Sequence, residues 1–173
     1  MSALAVPVGP DDHARGPASA PVTLVEYGDY ECPYCGDAYP VVRAVERDFG
    51  RALRFVFRNF PLTQAHPHAE HAAEAAEAAG AQGKFWEMHD LLYTHQDTLT
   101  DADLLVHAES AGADPAAVRD GLVAHTFAAR VREDFRGGVR SGVNGTPSFF
   151  INGARYDGAR DVASLTEAIA TIL

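Results

Sequence analysis

The only two cysteines of this 173-residue chain, Cys32 and Cys35, are separated by Pro33 and Tyr34. Cysteines at this CxxC spacing can form a structural disulfide, supply half of a metal site or catalyse thiol-disulfide exchange. A chain of this length can bury an ample core, so it needs no disulfide to hold it together. In a reducing cytosol the spacing therefore favours redox catalysis or metal binding over a permanent bridge.

The residues around the cysteines indicate a strand followed by a helix. The apolar run Val22 to Val25 predicts a buried strand, and apolar residues at helical spacing from Cys35 to Phe49 predict a helix that begins at the cysteines. The amino end of a helix stabilises a thiolate, and comparable sites have thiol pKa values of about 3.5 to 7.5 instead of about 8.5. We therefore expect Cys32 to be the nucleophile and Cys35, one turn later, to resolve the mixed disulfide.

A carboxylate interrupts the predicted strand. Glu26 lies six residues before Cys32 in an otherwise apolar run. Burial would raise the pKa of this carboxyl, and a carboxyl with a raised pKa could pass a proton to or from Cys35. The alternative is a strand residue that points outward and is solvated.

A second candidate segment, "NGTPSFF", lies far along the chain, where Thr146 and Pro147 precede a predicted strand. Proline at the start of an edge strand needs no functional explanation. A cis bond before Pro147 would instead expose the backbone of Thr146, which could pair with an extended substrate segment. Pro33 and Tyr34, between the cysteines, are further candidates for substrate contact and for tuning the thiolate.

The remaining patterns predict an α/β fold with an all-helical insertion. The alternating run "LRFVFRNFPL" predicts a second strand, so that strand, helix and strand form a βαβ unit. Helical patterns follow from residue 65 to about 139; within them "TDAD" at residues 100–103 predicts a capping box, and Asp114 before Pro115 predicts another helix start. A hairpin around Asn152-Gly153 and a final amphipathic helix come next. We predict a single domain over 1–173, with its βαβ and ββα parts at about 17–62 and 139–173 and the insertion at about 63–138.

Several polar and small residues have simpler interpretations. We expect Arg51, Arg54 and Arg58 to form a solvated strand face. The alanine-rich helix "HAEHAAEAAEAAG" is expected to carry its alanines on one stripe and Glu70, Glu74 and Glu77 on another. His66, His68 and His71 are expected on the surface at a polar helix start, and Gly137 and Gly138 are expected to end the last helix of the insertion.

Composition excludes several functions. With 24 acidic and 14 basic residues the net charge is −10, which disfavours nucleic acid and anionic membrane surfaces as partners. The first residues lack both the positive segment and the apolar run of an export signal, and no run approaches the roughly 18 apolar residues of a membrane span. We therefore expect a cytoplasmic protein.

Three separated motifs carry a family resemblance: "APVTLVEYGDYECPYC", "QGKFWEMHDLLY" and "GVNGTPSFFING". Through them the chain resembles the DsbA-like thiol-disulfide oxidoreductases of the thioredoxin superfamily, over nearly its whole length from about Gly16. The resemblance implies a thioredoxin fold with a helical insertion and exchange of disulfides with protein or peptide substrates.

The same resemblance assigns roles to residues. It implies that Cys32 attacks, Cys35 resolves, Glu26 is buried, Pro147 is cis and the backbone of Thr146 meets the substrate. No organic cofactor is implied, because the electrons reside in the cysteine pair. Glutathione or a thioredoxin-type reductase would recycle the pair. Tyr34 replaces the histidine that many exported members carry, so the direction of exchange stays open.

Three other functions fit parts of the same pattern. A zinc or iron-sulfur site would need histidines to complete the two cysteines, and we expect no metal. A glutathione-dependent isomerase or transferase of the related fold would usually lack Cys35. A chaperone-like module would bind unfolded chains on the apolar surface around Tyr34 and Pro147.

Overall fold

The fold is built on five strands joined into one mixed sheet. The structure is a computed structural model that describes residues 2–173. The strands are β1 (His13–Arg15), β2 (Val22–Gly28), β3 (Leu53–Asn59), β4 (Ser148–Ile151) and β5 (Ala154–Tyr156). Their order across the sheet is β1-β3-β2-β4-β5.

The central strand β2 sets the position of the candidate acid. It pairs in parallel with β3 and antiparallel with β4, so that Glu26 lies opposite Phe57 on one side and Phe149 on the other. The two-residue turn at Asn152 and Gly153, both with positive φ, joins β4 to β5 as the sequence predicted. Strand β1 was not predicted, because three residues are too few to show a period.

Within residues 2–173, seven α-helices cover the sheet and extend from it. They are α1 (Pro33–Phe49), α2 (Ala69–Gly80), α3 (Phe85–Thr94), α4 (Asp101–Ser110), α5 (Pro115–Ala124), α6 (Ala128–Arg140) and α7 (Val162–Ala170). The main core joins one face of the sheet to α1, α7 and helices α2 to α5, whereas a smaller core joins the other face to α6 and the amino-terminal segment. The predicted α/β fold with an all-helical insertion is confirmed.

The insertion between β3 and β4 consists of α2 to α6. The predicted capping box at the start of α4 is present, since Thr100 and Asp103 bond each other's backbone N–H groups. Asp114 caps α5 just before Pro115, also as predicted. No helix among residues 2–173 combines the length and apolar character needed to cross a bilayer.

The glutamate stripe of α2 does not face solvent throughout. Glu74 and Glu77 are buried, because α2 lies among the other helices of the insertion rather than on their surface. Glu77 is compensated by His13, whose Nε2 lies 2.9 Å from its carboxylate, and by the side-chain amide of Asn59 at 2.8 Å.

The expectation of a solvated arginine face on β3 is wrong for Arg58, which is only 3% exposed. Its guanidinium donates to both carboxylate oxygens of Asp12, at 2.8 and 2.9 Å, and also to the Tyr27 hydroxyl and to two backbone carbonyls. The amino-terminal segment folds back over this side of the sheet and supplies those partners, so the polar side chain is buried with its donors satisfied.

Gly137 and Gly138 do not end α6, which continues to Arg140. Both glycines are buried where the helix crosses the sheet. A Cβ at position 138 would lie 2.6 Å from the ring of Phe60, so α6 approaches the smaller core closely enough to require glycine there. At position 137 the nearest contact would be a methyl group of Val6 at 3.3 Å.

These two glycines make a matched pair for a stability test. We expect Gly138→Ala to lower the free energy of unfolding by about 1 to 3 kcal/mol, because the buried Phe60 ring must move. Gly137→Ala should change it little, since a small displacement of Val6 is offset by the better helix propensity of alanine. Urea denaturation of both variants measures this, and equal values for the two would contradict the packing argument.

Candidate active site

Cys32 lies at the start of α1, next to the carboxyl end of β2. It is the amino-terminal capping residue, Pro33 is the first helical residue, and the Cys32 carbonyl accepts from the N–H groups of Cys35 and Gly36 at 3.1 Å. The Cys32 side chain does not cap the helix, so its sulfur is free to react. Both cysteines are buried thiols, Cys32 at 3% exposed and Cys35 at 0%.

The surroundings of Cys32 favour its thiolate. Its pKa is lowered from 9.0 to about 5, chiefly by the hydrogen bond that the Cys35 thiol donates, against the opposing effect of burial. The Thr146 hydroxyl and the N–H groups of Cys35 and Tyr34 lower this pKa further. The carbonyl of Thr146, 3.6 Å from the sulfur, can only accept from the protonated thiol. Cys32 is therefore ionised near neutral pH, which makes it the nucleophile of the pair.

The pKa values of Cys35 and Glu26 are raised, whereas that of Cys32 is lowered. Burial raises the pKa of the Cys35 thiol well above 9.0, and the bond that it donates to Cys32 and the charge of Glu26 raise it further. Burial also raises the pKa of the Glu26 carboxyl from 4.5 to about 8. Arg15 opposes that increase, whereas Glu46 and Cys32 add to it. Cys35 thus holds its proton until a base is available.

Glu26 is buried, at 2% exposed, and lies close enough to the cysteines for its charge to affect the pKa of Cys35. Among residues 2–173, neither its buried Oε1 atom nor the buried hydroxyl of Tyr93 on α3 has a hydrogen-bond partner. Gly28 makes room for both, since a Cβ there would lie 3.1 Å from Glu26 Oε1 and 2.7 Å from the Tyr93 hydroxyl oxygen. Arg15, the nearby cation, is engaged in a 2.9 Å ion pair with Glu46. The structure thus places the carboxyl where the sequence suggested a buried acid.

Thr146 and Pro147 lie beside the cysteines, although 114 residues separate Thr146 from Cys32. The peptide bond between them is cis, and both residues are buried. The Thr146 hydroxyl lowers the pKa of Cys32, but it has no other hydrogen-bond partner among the described residues. The structure therefore brings together Cys32, Cys35 and the Thr146 segment.

The residues between the cysteines form the outer surface of the site. Pro33 and Tyr34 are exposed, Tyr34 by 67%. Tyr34 borders a shallow hollow of about 360 Å³ that is also lined by Asp37, Gly158 and Arg160. Tyr34 therefore offers an exposed aromatic side chain two residues from Cys32.

Sequence reasoning missed the residues that fix the cysteine turn. Buried Asp29 accepts from the N–H groups of Glu31 and Cys32 through Oδ1, at 2.8 and 3.2 Å, and its Oδ2 lies 2.8 Å from His66 Nδ1. The side-chain amide of Gln96 donates to the carbonyls of Tyr30 and Cys32 at 2.9 Å. The signal in the sequence was Asp29 itself, since aspartate commonly bonds the backbone two residues later in a turn.

The contacts of His66 and Tyr93 near the site were also not predicted from the sequence. His66 was expected on the surface, but its bond to Asp29 ties the start of the helical insertion to the cysteine turn. Tyr93 stands at the end of an apolar helix and was indistinguishable from core packing in the sequence.

A buried dithiol at the start of a helix, beside a sheet of thioredoxin topology, defines a thioredoxin-fold dithiol protein. A family model described as "Thioredoxin" matches residues 9–171, and the chain belongs to that family. Its fold is similar to that of oxidised BdbD from Bacillus subtilis, with a TM-score of 0.84, 27% identity and coverage of 92% of this chain and 91% of that one. A thioredoxin-like oxidoreductase from Silicibacter pomeroyi gives a TM-score of 0.83, 29% identity and coverage of 94% and 92%.

A curated relative from Salinispora arenicola is named Na(+)/H(+) antiporter NhaA 1. It is 53% identical over 169 residues, which cover 97% of this chain and 26% of the antiporter. The chain thus spans about a quarter of the length of the curated relatives it matches, and the transport activity in the name belongs to those proteins.

Proposed function

We propose that this protein catalyses thiol-disulfide exchange with protein or peptide substrates. The observation that carries the proposal is the separation of the two thiol pKa values, with Cys32 lowered to about 5 and Cys35 raised well above 9.0. One thiol is therefore a ready nucleophile, and the other keeps its proton until it is needed. The general class, an oxidoreductase of thioredoxin fold, agrees with the solved structures to which the chain is similar.

The reaction written in the reducing direction begins at Cys32. Its thiolate attacks a substrate disulfide, so that a Cys32–substrate S–S bond forms and one substrate thiolate leaves. Cys35 then loses its proton to the Glu26 carboxylate and attacks the Cys32 sulfur, which releases the second substrate thiolate. Two electrons pass to the substrate and Cys32–Cys35 becomes a disulfide. In the oxidising direction the same steps run backwards, and protonated Glu26 returns the proton to Cys35.

Substrate binding is assigned to the surface around the sulfur. The backbone of Thr146 next to cis Pro147 would pair with an extended substrate segment, while exposed Pro33 and Tyr34 would contact its side chains. Main-chain pairing accepts many sequences, which suits an enzyme that acts on proteins rather than on one small molecule.

The agents that recycle the site stay predictions. Glutathione and a thioredoxin-type reductase would both serve, and the chemistry calls for no organic cofactor. The cytoplasmic location also stays a prediction.

The redox potential of the pair is the measurement that sets the direction of exchange. Thiols with pKa values of about 7 and 3.5 belong to thioredoxin and DsbA, whose potentials are about −270 and −120 mV. Because the pKa of Cys32 is about 5, we expect a redox potential between those of thioredoxin and DsbA. Equilibration across a glutathione series, with free thiols trapped by alkylation and counted by mass, gives this value. A potential at or below that of thioredoxin would contradict the stabilised thiolate.

A further inference from the structure

A second group of reactive side chains lies in the helical insertion and contains neither cysteine. His71 and Glu74 are one helical turn apart on α2, and His125 follows the end of α5. One ligand-type atom from each lies within 4.8 Å of the other two. His71 and His125 border a hollow of about 260 Å³ that is also lined by Asp101 and Leu122.

The carboxylate of Glu74 is the feature that ordinary packing does not explain. The residue is 1% exposed, and its Oε2 atom has no hydrogen-bond partner in the part of the chain that the structure describes. Its other oxygen has only a long contact, 3.3 Å, with His125 Nδ1. A buried carboxylate is costly unless it is fully paired or bound to a metal. By contrast, Glu77 on the same helix is satisfied by His13 and Asn59.

The two histidines are presented as metal ligands usually are. His71 Nδ1 lies 2.7 Å from the carboxylate of Asp101, an arrangement that fixes the ring and leaves Nε2 as its free ligand atom. His125 has a left-handed backbone, φ 49°, at the carboxyl end of α5, a position where glycine is the usual residue. An exposed imidazole therefore occupies a place that the backbone alone would leave to glycine.

We propose that His71, Glu74 and His125 bind a divalent transition-metal ion, with Zn²⁺ as the best fit, and that the ion links α2 to α5. Two imidazole nitrogens and one carboxylate oxygen are a known ligand set for zinc, with the fourth position left to water or another ligand. Asp101 acts as a positioning residue through His71.

The distances are compatible with binding after a small movement. Ligand atoms on a tetrahedral zinc ion are on the order of 3.3 Å apart, since each lies about 2.0 to 2.2 Å from the metal. The present separations of up to 4.8 Å must therefore contract by roughly 1.5 Å at most. His71 and His125 are partly exposed and can rotate inward, whereas Glu74 stays in place. Arg119 lines the same hollow, but its guanidinium bonds to Asp120.

The test uses the full chain with its cysteine pair oxidised, so that Cys32 and Cys35 cannot bind the metal themselves. Zn²⁺ affinity is measured by competition with a chromophoric chelator, and Co²⁺ is added separately because its visible spectrum reports tetrahedral nitrogen and oxygen ligands. The melting temperature with and without Zn²⁺ is recorded for each variant. We expect one Zn²⁺ per chain and a higher melting temperature in its presence.

Four variants distinguish Zn²⁺ binding by this cluster from Zn²⁺ binding by other surface histidines. Glu74→Gln and His125→Gly should each weaken Zn²⁺ binding by at least about tenfold, and Asp101→Asn by about tenfold through the orientation of His71. His68→Gln is the matched control, because this histidine is close to His71 in sequence but outside the cluster; it should bind as the wild type does.

Each outcome bears on the proposal. His125→Gly suits the left-handed backbone, so this variant should fold even if Glu74→Gln does not, and it should lose the Zn²⁺-dependent rise in melting temperature. The proposal is overturned if the wild type binds no stoichiometric Zn²⁺, or if His125→Gly binds it as tightly as the wild type. Thiol-disulfide exchange by Cys32 is independent of either result.

Discussion

Replacing Cys32 with serine should abolish exchange, lowering the rate by at least about 10³-fold, as removal of a nucleophile does in other covalent enzymes. A serine hydroxyl cannot form a mixed disulfide, and at neutral pH it is not ionised. The thiolate that it replaces has a pKa of about 5 and is ionised under the same conditions. The rate is measured by reduction of a fluorescent disulfide-linked peptide. Wild-type activity in Cys32→Ser would refute the proposed function.

The matched variant is Cys35→Ser, which keeps the nucleophile and removes the resolving thiol. It should react once with a disulfide substrate and remain attached to it, so that the adduct accumulates on a non-reducing gel and in the mass spectrum. In Cys35→Ala, which leaves no donor at this position, the pKa of Cys32 should also be higher than in the wild type, because the Cys35 thiol supplies the largest stabilising bond. The pH dependence of Cys32 alkylation in the two proteins measures this difference.

Glu26→Gln should slow the resolving step by about 10²-fold, the lower end of what a positioned acid or base contributes. Glutamine keeps the shape of the side chain but cannot take the proton of Cys35. Single-turnover kinetics should therefore show normal attack by Cys32 and delayed release of the product. In the wild type this release should rise with an apparent pKa of about 8, and that dependence should be absent from the variant. Equal release rates in both proteins would rule out a role for Glu26.

The same substitution should stabilise the fold at neutral pH. The pKa of Glu26 is about 8 in the folded protein, against the ordinary glutamate value of 4.5 that applies to the unfolded chain. The folded state therefore binds the proton more tightly, and the wild type loses stability as the pH rises from 4.5 to 8. Integrated to pH 7, this loss is about 3 kcal/mol, and at pH 4 it is close to zero.

Urea denaturation of the reduced proteins at pH 4 and 7 tests this expectation. The difference in unfolding free energy between Glu26→Gln and the wild type should appear at pH 7 and disappear at pH 4. Titration of Cys32 is common to both proteins and cancels in the comparison. A difference that is the same at both pH values would mean that Glu26 is not held in a buried pocket.

The sequence allowed the prediction of several features that local patterns determine. The strand before the cysteines, the helix that begins at them, the capping residues Thr100 and Asp114 and the turn at Asn152 all follow from neighbouring residues. Glu26 could be singled out because a carboxylate in an apolar run has few explanations. Thr146 and Pro147 were placed near the cysteines only through the family resemblance.

Side chains whose partners are distant in sequence could not be predicted. Because Arg58 alternates with apolar residues, its side chain was predicted to face solvent. In the structure the amino-terminal segment covers it and supplies Asp12 as its partner. His71 and His125 gave no joint signal, because only the packing of α2 against α5 brings them together. Asp29 was recognisable as a turn residue, but its bond to His66 depends on where the helical insertion begins.

The order in which the sheet is joined has a consequence during protein synthesis. Strand β2 meets β3 early, but its other neighbour, β4, is translated only after the entire insertion. Until the ribosome has made Thr146, 114 residues after Cys32, the cysteine pair lacks one wall of its pocket and the hydroxyl that helps to stabilise the thiolate. The nascent chain should therefore carry cysteines of more ordinary reactivity, and full reactivity should appear only when the two halves of the sheet meet.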